Sequence, residues 1–420
     1  MISARQVAAV VAGNALEFYD FITYSFFAVQ IGQTFFPSGD AAGSLLASLA
    51  TFGAGFLTRP VGAIVIGRIA DRVGRKPAML LSFGLMGVAI VGLALTPGYR
   101  SIGVAAPILA IVFRLIQGFA LGGEVGPSTA FLIEAAPPAR RGLLVSLQYM
   151  GQDGAILCAG LMGVGLSSVM GSAALGEYGW RIAFLAGAVI VPFGLLLRRG
   201  LVETLHEVEA VAPASSAGQM SAGQASPARI AVLALMMLAA GTTVSYVLDY
   251  LTTYATAALH MPATLAFGAT VVLGLTGVVC DPLGGWLSDR FGRKRVMIIP
   301  WVVLLVMIGP CFWAISHFRT AAVLFGATAL LAAASSISAS SVLVAVTESL
   351  PKRARSATLA LVYAVAISIF GGSAQFNVAW LSGVLHSDLA PAGYMAVGVA
   401  VGLAAMLMMR ETAPVKVGGG

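Results

Sequence analysis

The sequence predicts an all-α membrane protein of twelve transmembrane helices, arranged as two six-helix bundles with pseudo-two-fold symmetry. Three observations carry that prediction: the apolar bulk of the chain, the distribution of its cations between loops, and a loop motif that occurs twice. Of 420 residues, 59% are hydrophobic and 10% charged, and the mean hydropathy is +0.93. A soluble protein this apolar has too little polar surface to cover itself. A bilayer instead accepts lipid-facing Leu, Val, Ala and Phe, and requires each spanning backbone to pair within its own helix.

Apolar stretches of bilayer length run over residues 7–35, 43–69, 77–96, 104–134, 142–170, 180–198, 229–258, 263–287, 295–316, 320–347, 356–385 and 392–409. Twelve spans return the carboxyl end to the side of the amino end, so Lys and Arg should gather at the termini and in the even-numbered turns. Of the 24 Lys and Arg, all do so except Arg100, Arg181 and Arg319 in the opposite loops and Arg59 and Arg114 inside spans. The expected location is therefore a bacterial inner membrane, with both termini cytoplasmic. The net charge of +7 is explained by this orientation. Its cations lie in short turns rather than on one soluble face, so no nucleic-acid partner is expected.

The first apolar stretch follows Arg5 and holds Asn14, Glu17 and Asp20 with no small-residue cleavage site, so it reads as a retained first helix rather than a leader. Cys158, Cys280 and Cys311 lie inside apolar stretches without metal-ligand spacing and read as small core residues. His206, His260, His317 and His386 fall in or beside loops and form no cluster. No metal or other cofactor is expected. The sequence holds no nucleophile elbow, no HExxH pair and no GxxxxGK[ST] loop, so neither an enzyme nor an ATP-driven pump is indicated.

The longest polar segment runs from Arg198 to about Arg229 and is rich in Ala, Ser, Gly and Gln after Glu203, Glu207 and Glu209. It reads as a flexible connector. The expected organisation is a first bundle over 1–198, a cytoplasmic linker over 199–228 and a second bundle over 229–420. A repeat supports the division: Gly67-Arg68-Ile69-Ala70-Asp71-Arg72-Val73-Gly74-Arg75-Lys76 returns as Gly285-Trp286-Leu287-Ser288-Asp289-Arg290-Phe291-Gly292-Arg293-Lys294. Nearly the same offset relates the stretch from Glu134 to Arg141 to that from Glu348 to Arg355.

Glycines in the repeated turn permit a tight reversal and close helix contact. Asp71 with Arg72 and Arg75, and Asp289 with Arg290 and Arg293, can form ion-paired latches at the membrane surface. The alternative is that the cations only fix topology. Acidic residues contribute little to that rule, so Asp71 and Asp289 favour the latch.

The repeated turn resembles the signature of the major facilitator superfamily, and Arg114-Leu115-Ile116-Gln117-Gly118 resembles its second motif. More narrowly, Gly13-Asn14-Ala15-Leu16-Glu17-Phe18-Tyr19-Asp20-Phe21, Arg59-Pro60-Val61-Gly62, Gly122-Gly123-Glu124, Gly179-Trp180-Arg181 and Ile369-Phe370-Gly371-Gly372 are similar to the metabolite:proton symporter family. Carriers of citrate, tricarballylate, ketoglutarate, shikimate and proline/betaine belong to it. The resemblance runs over essentially the whole chain. It implies proton-driven symport by alternating access, the two halves rocking about a central cavity. Asp281, just before Pro282, departs from the resemblance, which implies an apolar residue there.

Ionisable groups at membrane depth are costly and so are functional candidates. Arg59 lies about 15 Å from the cytoplasmic end of span two at 1.5 Å per residue, and Arg114 lies at similar depth in span four. Two guanidinium groups there suit an anionic solute. The alternative is that Glu17, Asp20, Glu124 or Asp153 neutralises each and merely ties helices together. Glu17 and Asp20 share a face of span one with Asn14, and with Glu124 and Asp153 they are the proton-coupling candidates. Gln148 and Gln152 can hydrogen-bond a solute or another helix. Tyr246, Asp249, Tyr250 and Tyr254 form a polar stripe on span seven, and Gln375 and Asn377 interrupt span eleven. Tyr246, Tyr250 and Gln375 are candidates for solute contact, while Tyr254 reads as an interface anchor.

Three functions follow as alternatives. One is proton-coupled import of a small organic acid such as citrate or a related di- or tricarboxylate. Another is symport of a zwitterion such as betaine or proline, with Phe18, Tyr19, Phe21 and Tyr24 as a cage for its cation. The third is a membrane sensor without flux. A monomer in the lipid bilayer is expected in each case.

Overall fold

A computed structural model of the protein describes residues 4–73, 75–122, 132, 136–188, 227–350 and 355–417. Every regular element among them is helical. The first half comprises α1 (Ala4–Phe26), α2 (Ala28–Phe35), α3 (Ala41–Leu57), α4 (Arg59–Arg72), α5 (Arg75–Leu95), α6 (Ala105–Leu121), α7 (Arg141–Val169) and the helix α8 over 180–188. The second comprises α9 (Pro227–Asp249), α10 (Ala263–Phe291), α11 (Arg293–Phe318), α12 (Ala321–Ser349), α13 (Arg355–Ala366), α14 (Gly372–Leu385) and α15 (Ala390–Met408). Among the described residues, eight helical segments are long and apolar enough to cross a membrane, with shorter apolar helices over Leu80–Leu95 and Ala105–Leu121. Together with α1–α2 and α8 these fall on the twelve predicted spans. The rest of span six, and most of the proposed linker, lie outside the described residues.

Breaks within spans have local causes. Pro60 cannot donate to the carbonyl of Phe56, and α3 gives way to α4 at this point, with Thr58 between them. The Phe56 carbonyl instead accepts from the Ser368 hydroxyl of the other half at 2.9 Å. Short π-helical turns at Tyr254–Ala258 and Ile367–Gly371 interrupt spans seven and eleven, a feature that often marks functional segments.

The halves meet along α7 and α10, which pack antiparallel over their length. Glycines make that approach possible. Gly142 faces Gly285, Gly160 faces Thr270 and Val271, Gly163 faces the ring of Phe267, and Gly274 and Gly277 face Leu157 and Asp153. Membrane helices gain nothing from the hydrophobic effect when they leave lipid for one another, so close van der Waals contact must hold them, and small residues permit it. The three cysteines divide: Cys311 is buried as predicted, Cys280 is half-buried, and Cys158 is exposed on the outer face of α7, a correction to its reading as a core residue. An apolar side chain in a membrane protein can face lipid as readily as core.

Candidate functional site

A cavity lies where α7 crosses the second half. Phe18 of α1 and Tyr149, Gln152, Asp153 and Ile156 of α7 form one wall. Opposite them stand Thr242, Ser245, Tyr246 and Asp249 of α9, Asp281 of α10, Ser335 and Ser336 of α12 and Tyr363 of α13. Trp301 of α11 also lines it, its indole N–H donating to the Val399 carbonyl at 2.8 Å. Three carboxyl groups face this space, and no Lys or Arg is found among the described residues that line it.

The two intramembrane arginines lie beside the cavity rather than in its wall. Arg59 places its guanidinium 4.5 Å from the ring centres of both Phe21 and Phe56. Arg114 sits 4.3 Å from Phe21, 4.6 Å from Tyr24 and 5.1 Å from Phe52. It also donates to the Gln117 side chain and, at 3.4 Å, to the Phe52 carbonyl. Phe21 thus contacts both cations, and aromatic quadrupoles offset part of the cost of holding them at membrane depth. Gly55 leaves the space Arg114 occupies against α3, and Gly118 and Gly122 bring α6 onto Gly55 and Arg59. Tyr246 separates this layer from the cavity, its ring 5.5 Å from Phe56 and 6.0 Å from Phe52. Arg59 is 7% exposed and Arg114 0%, so a solute reaches them only through movement of this aromatic layer. The faces of Phe21 and Tyr24, read from sequence as part of a cation cage, are turned to the protein's own arginines.

Of the remaining predicted site residues, Gln152, Asp153 and Tyr246 line the cavity, whereas Asn14, Gln148, Tyr250 and Gln375 are buried elsewhere. Asn14 donates to the Gln148 carbonyl at 3.4 Å and ties α1 to α7. Asp20 is buried against Gly187 of α8, with one carboxyl oxygen lacking a hydrogen bond. The side chains of Glu17, Asp71 and Arg75, and all of Glu124, lie outside the described residues. Tyr149, Ser335, Ser336 and Tyr363 are not among the candidates that the sequence indicates. Tyr149 had a signal, since Gln148, Tyr149, Gln152 and Asp153 fall at positions one turn apart on α7. Tyr254, expected as an interface anchor, is instead buried and donates to the Asp388 carbonyl at 2.8 Å.

Contacts between the halves lie on both sides of the cavity. On the side of the termini, Asp289 accepts from the backbone N–H of Gly142 at 2.8 Å and of Leu143 at 2.9 Å, at the start of α7. Arg293 donates to Asp289 at 2.6 Å and to Glu348 at 3.2 Å. Arg290 lies 5.6 Å from the rings of Trp286 and Phe291, and Arg72 is exposed. On the far side Ser25 and Gln375 exchange hydrogen bonds of 2.9 and 2.6 Å. Phe27 meets Phe267 there at 4.9 Å.

The family model described as Major Facilitator Superfamily matches residues 10–374. A protein named citrate-proton symporter, from Klebsiella pneumoniae, is 35% identical over 367 residues, covering 87% of this chain and 82% of its own. The alpha-ketoglutarate permease of Escherichia coli (strain K12) is 37% identical over 379 residues, 89% of this chain and 86% of its own. A crystal structure of a D-xylose-proton symporter superposes with a TM-score of 0.75 at 18% identity, covering 98% of each chain, and shares the fold. The protein is a multi-pass membrane transporter, not an enzyme, and the chain belongs to the Major Facilitator Superfamily.

Proposed function

We propose that the protein is a proton-coupled symporter that imports a small di- or tricarboxylate, citrate or a close relative, by alternating access. The observation that carries this reading is the cavity at the crossing of the two halves, with carboxyl groups in its wall and two guanidinium groups behind Tyr246. An anionic solute beside ionised carboxylates is repelled, and beside protonated ones it is not, so binding of the anion and uptake of protons favour each other. Movement of the aromatic layer brings Arg59 and Arg114 to the solute, where planar guanidinium groups pair carboxylates bidentately.

In this reading residues 1–198 and 229–420 rock as two bundles joined by the linker 199–228. Asp289, Arg293 and their counterparts Asp71, Arg72 and Arg75 latch the cytoplasmic side. The chain works as a monomer in a bacterial inner membrane, both termini cytoplasmic. The identity to citrate and ketoglutarate carriers over most of the chain supports the substrate class.

A second reading is favoured by one observation, the three carboxyl groups in a cavity wall whose described residues include no cation. Such a wall attracts the cationic end of a zwitterion such as betaine. Counterflow into proteoliposomes with labelled citrate, 2-oxoglutarate and betaine separates the two. Exchange of citrate or 2-oxoglutarate that betaine does not inhibit supports the first. Exchange of betaine alone overturns it.

A further inference from the structure

Asp281 belongs to the second half and Asp153 to the first, and both line the cavity beside the α7–α10 contact. Each is placed by its neighbours. Gly277, one turn before Asp281 on α10, has no side chain, and the Asp153 carboxyl occupies the vacant space. The Ser340 hydroxyl of α12 reaches one oxygen of Asp281 at 3.4 Å. The other oxygen has no hydrogen-bond donor, in a residue only 1% exposed that lines the cavity. An acceptor so placed lacks the donor that a proton on the neighbouring carboxyl supplies.

Among the described residues, the groups around the pair include no compensating cation. Tyr149 comes from α7, Cys280 from α10, Asp249 and Tyr246 from α9, and Tyr363 from α13, and the polar groups that α12 contributes are hydroxyls. Arg59 and Arg114 stand behind Tyr246 against Phe21. Two adjacent carboxylates at this depth repel each other, whereas one proton between them removes a charge and adds a hydrogen bond.

We propose that Asp153 and Asp281 hold a single transported proton between the two halves, so that the proton is retained while the halves are in contact and released when they part. This deepens the symport reading above and rests on it. The proton enters with the solute from outside and forms an O–H bond on one carboxyl, donating to the other. When α7 and α10 separate on the cytoplasmic side, water reaches both groups and the O–H bond breaks to water, leaving two solvated carboxylates. Because the pair spans the halves, its protonation senses their separation, which a carboxyl within one half does not.

The test uses the full-length protein in proteoliposomes, with the parent, Asp281→Asn, Asp153→Asn and the double variant compared for labelled citrate. Uptake under an imposed pH gradient should fall at least tenfold more than counterflow at equal pH in each single variant, with no further loss in the double. Buffer-dependent calorimetry on the purified parent should show about one proton taken up per citrate bound, and no such uptake in Asp281→Asn. Proton uptake and gradient-driven accumulation equal to the parent's in Asp281→Asn would overturn the proposal, as would additive losses in the double variant. Should a variant not fold, the parent's calorimetry still decides, because absence of proton uptake on binding overturns it. A parent that moves no carboxylate sinks the substrate reading instead, and the same comparison is then made with betaine.

Discussion

The carboxyl group of Asp153 lies against Gly277, in the volume a side-chain carbon at that position would fill. α7 belongs to one half and α10 to the other, so this contact sets both how closely the halves approach and where an ionisable group sits between them.

Gly277→Ala should therefore push the Asp153 carboxyl out of place, and overpacking of this kind costs about 1–3 kcal/mol. Thermal unfolding in detergent should show the loss, and gradient-driven uptake should fall at least tenfold. Gly154→Ala is the contrast, because the nearest atom to its added carbon is Val278 Cγ2 at 3.9 Å, an ordinary contact. Equal melting temperatures for Gly277→Ala and the parent would show that the helices adjust freely here.

Asp289→Asn should loosen the latch on the side of the termini. The carboxylate accepts two bonds from the first amides of α7, where the helix dipole favours negative charge, and a third from the buried Arg293. Loss of the charge should cost about 2–3 kcal/mol, in the range of hydrogen bonds to ionised groups. Hydrogen exchange of the amides at 142 and 143 is the direct measure. It should quicken by tenfold or more, and an unchanged rate would mean that Asp289 does not hold this contact.

Arg59→Ala should abolish citrate binding to the purified protein, and Arg59→Lys should restore little of it. A compact ammonium cannot stack on two rings as a planar guanidinium can, and that of Arg59 lies 4.5 Å from both Phe21 and Phe56. Isothermal titration reads the outcome directly. Parental affinity in Arg59→Ala would remove this residue from the substrate route.

Glu411 fastens the carboxyl-terminal segment to the start of α11. Partial burial opposes its ionisation, but hydrogen bonds from the backbone N–H groups of Ala413, Lys294, Arg293 and Thr412 outweigh that effect and hold the carboxyl below its ordinary range. A group held low in the folded state contributes stability above its ordinary pKa and loses it as pH falls through the lowered value. Docking of residues 411–417 should thus persist through mildly acidic pH and fail only under strongly acidic conditions. Glu411→Gln should undock the segment at neutral pH. Limited proteolysis after Lys416 across a pH series distinguishes the two, and a parent that is cleaved equally at all pH values would refute the fastening role.

The spans and their order were legible in the amino-acid sequence because lipid imposes a rule that acts residue by residue. A backbone in hydrocarbon must be helical, and about twenty apolar residues are needed to cross it. The same local physics exposed the duplicated turn and the placement of Arg59, Arg114, Asp20 and Asp153 at depth. Which of those groups share a space was not legible, because that depends on how two bundles pack. Only the tertiary structure turned Arg59 and Arg114 onto Phe21 and set Tyr246 before them. It also brought Asp281, an isolated departure in sequence, to the same cavity as Asp153 of the other half. That juxtaposition exists because facing glycines on α7 and α10 let two helices approach closely, and no single helix encodes the position of its neighbour.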